Sequence, residues 1–257
     1  MLLDLFQGGF DLKTFVIQLL LSIPPFLLAL SMHEAAHAWM ADRCGDPTAR
    51  YLGRLTINPF AHIDPLGFAM VFLVGFGWAK PVPVNPNNFR HYRKDDVKVS
   101  LAGITANLLM FVVGCLMMFT MIAIALHQIP NGMLLSSDVT MVLRSPDSYG
   151  YGLVVSMLGD VAGYGYIMML IFTTINLTLA VFNLIPIPPL DGYHVLNDLI
   201  LRRPLFAPQR AAVVGQIVLL ALIFTGALSR VLGAVHSGAL AGAGAVFEAL
   251  FRLLHIV

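Results

Sequence analysis

From Phe15 to Leu30 the chain carries no charged residue, and His33-Glu34-Ala35-Ala36-His37 follows within the same apolar stretch. Such a run has few ways to fold. About 20 consecutive apolar residues make a helix that crosses the hydrocarbon of a bilayer, where every backbone amide must find an internal partner. Composition agrees: of 257 residues 58% are hydrophobic and 11% charged, with a mean hydropathy of +0.81. A soluble domain is nearer one quarter charged. The fold class is therefore expected to be an all-α polytopic membrane protein. A net charge of +1, without a basic tract, argues against nucleic acid as a partner and leaves the lipid bilayer as the surroundings. Cys44 and Cys115 are two lone thiols and make no disulfide framework.

Four segments are long enough to cross, at roughly 14–41, 99–127, 151–184 and 211–235. Two are weaker. Residues 66–78 are short and glycine-punctuated, and 239–257 contain Glu248, Arg252 and His255, so that tail is either a final span or an interfacial helix. Of the 15 Lys and Arg residues, eight lie between 42 and 98, three lie in 188–210, and the loop 128–150 has Arg144 alone. The positive-inside rule then places 42–98 and 188–210 in the cytoplasm and the N-terminus outside, provided that 66–78 enters and leaves on one side. The first ten residues lack a basic signal-peptide start, so the first span is expected to be retained. The whole chain, 1–257, reads as a single membrane-embedded domain, with a catalytic core at about 14–200 and C-terminal helices in 211–257.

Between the first two long spans the texture changes. Tyr51 to Asn58 alternates moderately and predicts a strand. Residues 79–86, Ala-Lys-Pro-Val-Pro-Val-Asn-Pro, must be extended, because proline fixes its own φ and biases the residue before it. Pro81 and Pro83 lack donors on one edge, while Val82 and Val84 present theirs on the other. The expectation is a bundle of about four to six transmembrane helices with a small membrane-associated β-hairpin or sheet between the first two long spans. Its free edge, at Val82 and Val84, would receive an extended peptide.

His33 and His37 are four apart, so a helix aims both imidazoles at one metal ion, with Glu34 rotated aside and free to handle a proton. A catalytic zinc takes three protein ligands and keeps a position open for water. The candidate third ligand is Asp191 in Asn183-Leu-Ile-Pro-Ile-Pro-Pro-Leu-Asp191-Gly192. A carboxylate near the end of an apolar span is costly without a metal, a cation or water, and the prolines free the backbone to turn it inward. Two alternatives stay open here: Asp191 capping a helix that begins near Tyr193, and Asn183 serving as an interhelical hydrogen-bonding residue. Asn58, His62 and Asp64 are candidates for lining a water passage or supporting the ligands, or are plain loop residues. His91, His127, His194, His236 and His255 read as interfacial or structural.

Taken together, His33 to His37, Asn58 to Pro65 (Asn-Pro-Phe-Ala-His-Ile-Asp-Pro), Gly103-Ile-Thr-Ala-Asn107 and Asn183 to Gly192 make the chain resemble the site-2 proteases, intramembrane zinc metalloproteases. The likeness covers about 20–200, and the stretch 77–86 is similar to that of the short prokaryotic branch without a PDZ module. Ile104 departs from a proline frequent after the glycine, a position concerned with helix packing. The resemblance implies one zinc ion per chain held by His33, His37 and Asp191, Glu34 as catalytic base, and Asn183 in contact with substrate or transition state. Asn107 falls in the Gly-x-x-x-Asn element and is expected to support the site or bind substrate. It further implies a prokaryotic cytoplasmic membrane, an active site nearer the cytoplasmic face, and as substrate a transmembrane segment of another protein, such as a membrane-bound regulator. A membrane metal-ion transporter and a catalytically inactive scaffold are the competing classes. A transporter has no need of Glu34 and normally shows internal repeats. A scaffold would lack Glu34 or Asp191.

Overall fold

The structure, a computed structural model, describes residues 12–67, 70, 80–130, 136–201 and 208–254. Nine α-helical segments occur among them: α1 (Leu12–Cys44), α2 (Thr48–Tyr51), α3 (Tyr92–His127), α4 (Ser136–Arg144), α5 (Tyr151–Leu158), α6 (Asp160–Asn183), α7 (Asp191–Val195), α8 (Pro208–Phe224) and α9 (Ala227–Leu253). Four are long and apolar enough to cross a membrane: Val16–Cys44 within α1, then α3, α6 and α9. At 1.5 Å per residue the 36-residue α3 is ~54 Å long, well beyond the roughly 30 Å of hydrocarbon. Part of the surplus is the polar start Tyr92-Arg-Lys-Asp-Asp96. There Asp95 accepts the His91 N–H at 2.8 Å and the Lys98 ammonium at 2.7 Å.

The helical, membrane-spanning fold agrees with the sequence reading, while several boundaries differ. The stretch 151–184 is two helices, parted at Gly159 (φ 85°), and Asp160 opens the second. The stretch 211–235 is parted at Gly226 (φ 69°), so α8 is short and the last crossing is α9, whose second half is the tail 239–254. Glu248 is tolerated there because Thr140, Arg144 and Arg252 all donate to its carboxylate at 2.9–3.1 Å. No strand is found among the described residues, so the hairpin is not seen. Tyr51–Asn58 fails as a strand for a visible reason. Gly53 (φ 66°) lets Arg54 N–H reach back five residues to Ala49 O at 2.8 Å, a closure that ends α2 and leaves irregular chain to Asn58. Of the 66–78 segment only Leu66, Gly67 and Met70 are described, and the rest lies outside the described residues.

The residues fall into two compact units. Met1–Leu108 with Leu179–Leu222 form the first. Its apolar contacts join the end of α1 (Ala38, Ala41, Cys44) to Ala49, Val82, Phe89 and Val99. Asp46, fully buried, ties the turn after α1 to the proline segment: its carboxylate accepts Asn85 N–H at 2.7 Å, the Asn88 amide at 2.8 Å, and both the hydroxyl and N–H of Thr48. Burial pushes that carboxyl up, and the four donors outweigh it and hold it below the usual range. Arg54 donates to the carbonyls of Lys80 (2.6 Å) and Pro81 (3.3 Å). Residues 80–88 are thereby fixed beside α1. The second unit, Leu109–Thr178 with Ile223–Val257, has its own apolar core of Cys115, Met118, Phe119, Ile122, Tyr166, Leu240 and Phe251.

Candidate metal centre

On α1 the two histidines stand one turn apart, rings nearly perpendicular (82°) with centroids 4.5 Å apart. Two prolines, Pro24 and Pro25, sit in the same helix ahead of them. Each ring is aimed by α3. His37 Nδ1 lies 2.8 Å from Val99 O, and a carbonyl only accepts, so Nδ1 carries the hydrogen. His33 Nδ1 lies 2.6 Å from Asn107 Oδ1, and the Asn107 amide is oriented by donating through Nδ2 to Ala29 O at 3.2 Å. His33 Nδ1 is therefore also N–H. Both Nε2 atoms are left as lone pairs, and they face one another at 2.9 Å.

Asp191 arrives from the proline-broken loop after α6. Leu190 N–H bonds to Ile187 O at 2.9 Å, and Gly192 follows immediately. Gly192 is required for space rather than for an unusual φ: a Cβ there would lie 2.2 Å from Leu184 O. Asp191 Oδ2 sits 3.4 Å from His33 Nε2 and 3.3 Å from His37 Nε2, and it has no hydrogen-bond partner.

Three acceptor atoms thus lie within 4.8 Å of one another, and their side chains are only 8%, 12% and 19% exposed. Lone pairs crowded this way in low dielectric demand a cation. Two imidazoles and one carboxylate, each imidazole steered through its far nitrogen, form the donor set of a catalytic zinc site. The residues fit the metal. Gly103 of α3 makes the approach feasible: a Cβ there would lie 2.4 Å from His37 Nε2 and 2.6 Å from His33 Cε1.

Glu34, 8% exposed, accepts the Val82 N–H through Oε2 at 2.8 Å. The edge expected to face a partner is at Val82 turned onto this carboxylate. Val84 packs beside Ala38, Ala41 and Ala49. Asn107 stands against His33. Other expected residues engage locally. Asn183 donates to Leu179 O in its own helix (3.0 Å), Asn58 accepts Phe60 N–H (3.1 Å), and Asp64 accepts Gly67 N–H (2.8 Å). His62 is fully buried and donates through Nε2 to Thr56 O at 2.8 Å. The Val99 carbonyl was not foreseen as part of the site, and the Val82 N–H was expected to meet a peptide rather than Glu34. Backbone atoms have no letter in a sequence, although the step of four from 99 to 103 to 107 marks one face of α3.

The family model "Peptidase family M50" matches residues 23–225. "Putative zinc metalloprotease YwhC" of Bacillus subtilis is 33% identical over 239 residues, covering 91% of this chain and 96% of that one. "Putative zinc metalloprotease Rip2" of Mycolicibacterium smegmatis is 27% identical over 82% of this chain and 69% of its own. The protein of that name from Mycobacterium tuberculosis is 30% identical over 68% and 55%. No solved structure matches the chain.

Proposed function

The chain belongs to peptidase family M50, the site-2 proteases, and is a membrane zinc metalloprotease; from that premise we propose how its residues divide the work. His33, His37 and Asp191 hold one zinc ion. The observation that carries this is the orphaned Asp191 oxygen, buried and equidistant from two imidazole lone pairs. Bound there, zinc would supply an acid that lowers the pKa of a water to about 7 and polarises a peptide carbonyl.

Glu34 acts as general base. Val82 N–H fixes one of its oxygens, and the other takes the proton from the attacking water and returns it to the leaving amine. Asn183 has two amide hydrogens; one is committed to Leu179 O and the second is the donor assigned to the developing oxyanion. All these residues sit in one membrane-embedded protease domain.

The substrate is a transmembrane segment of another protein. In a helix its carbonyls are tied up in i→i−4 hydrogen bonds, so it must unwind before it is cut. The unwound strand lies along residues 80–84, pairing at Val84 and passing beside Glu34. The charge bias of the loops supports a cytoplasmic membrane location with the N-terminus outside and the site nearer the cytoplasm. Purified enzyme should cut a tagged single-span substrate, stop on chelation and resume with zinc. Cleavage indifferent to chelation would reject the zinc assignment. Zinc binding without cleavage of any single-span substrate would favour a transporter or a scaffold. Val84→Pro is expected to lower kcat/KM about fivefold to tenfold with zinc content unchanged, as loss of one main-chain hydrogen bond does. Native turnover in that variant removes the docking edge.

A further inference from the structure

Asn107 and Val99 aim the two histidines, but Asp191 Oδ2 has no such contact and takes its place from the helix that it opens. Three residues beyond it, His194 Nδ1–H donates to Asp96 Oδ2 at 2.9 Å. The helix that Asp191 opens is thus tied to α3 through His194. Asp96 is 7% exposed, and a buried carboxylate is costly unless paired; the His194 side chain that pairs it is 51% exposed, so the contact is buried at its acceptor end. The Asp96 hydrogen bond raises the His194 pKa above that of a free imidazole, so the contact is charge-assisted.

Asp96 lies on the face of α3 that already serves the site. The steps from 96 to 99, 103 and 107 are three, four and four, and on a helix these positions stack on one side. Asp96 grips the Asp191 segment, Val99 steers His37, Gly103 gives both rings room, and Asn107 steers His33. We propose that Asp96 and His194 are a positioning pair for the third metal ligand: their hydrogen bond sets the Asp191 carboxylate at the spacing from His33 and His37 at which all three donors meet one zinc ion. The pair touches no reacting atom, and its role rests on the assignment of His33, His37 and Asp191 as ligands.

Zinc affinity measured by chelator competition, and the visible spectrum of the cobalt-substituted full-length enzyme, test the pair directly. His194→Ala and Asp96→Ala are expected to weaken zinc by about 10–100-fold, the usual effect of removing a group that orients a ligand, and to change the cobalt band. His194→Asn, which keeps an N–H near the Nδ1 position, should recover affinity to within about threefold of native. The double alanine variant should bind no more weakly than either single one, because the two act as a unit. Native affinity and an unchanged cobalt spectrum in His194→Ala overturn the proposal. If His194→Ala cannot be purified folded, native affinity in Asp96→Ala, which has no acceptor left for the His194 N–H, overturns it equally. His37→Ala separates the two levels. If it loses zinc while the His194 and Asp96 variants do not, the pair is rejected and the ligand set stands. If it binds zinc as the native chain does, the ligand set falls and the pair with it.

Discussion

Replacing Glu34 by glutamine should leave zinc bound and reduce cleavage by a factor of about 10²–10⁴, the range that a positioned acid–base group contributes. Glutamine has the same shape, and its amide oxygen can still accept the Val82 N–H, so the side chain has no reason to leave its place. What it lacks is basicity. Zinc content measured on the same preparation gives the result its meaning. Cleavage at the native rate by the zinc-loaded variant would show that another group takes the proton. Loss of the metal would show instead that Glu34 belongs among the ligands.

Gly103→Ala is expected to be nearly as damaging, through the metal rather than through the base. A single methyl would meet His37 Nε2 at 2.4 Å and His33 Cε1 and Nδ1 at 2.6 and 2.8 Å. A flexible side chain could swing away at small cost, but these rings are each held from behind, by Val99 O and Asn107 Oδ1. Either a ring gives up its steering hydrogen bond or α3 backs off from α1, and both disperse the donors. Zinc affinity should fall about 100-fold or more, the upper end of what disturbed ligand orientation costs. Gly233→Ala, where an added Cβ meets nothing within 4 Å, is the matched control and should bind zinc normally. Native zinc affinity in Gly103→Ala would mean that the close approach of α3 is not needed.

How much of this was legible beforehand depended on whether the cause was local. His33 and His37 were readable because helical spacing alone puts them on one face, and Asp191 because prolines beside an apolar span mark a backbone free to turn. The crossings at α1, α3 and α6 follow from long apolar runs. The breaks do not: Gly159 and Gly226 look like the many other glycines of the chain, and only their positive φ makes them ends of helices. The expected strand at Tyr51–Asn58 was lost to a turn closed by a single glycine. Asn58 and Asp64 seemed near enough to the chemistry to serve it, but short polar side chains bond first to the backbone beside them, and these do. Glu248, awkward for a span by its charge, was resolved by three donors, two of them more than 100 positions away.

Two of the tethers on the reactive groups are peptide atoms: the nitrogen of residue 82 on Glu34 and the oxygen of residue 99 on His37. A saturation library would flag positions 103 and 107 while nearly every substitution at 82 and 99 left those links untouched. Only proline at 82 removes the first link, and an ester in place of the 99–100 amide weakens the second, because an ester carbonyl is the poorer acceptor. Tolerance of variation at these two positions is thus no guide to how much the chemistry depends on them.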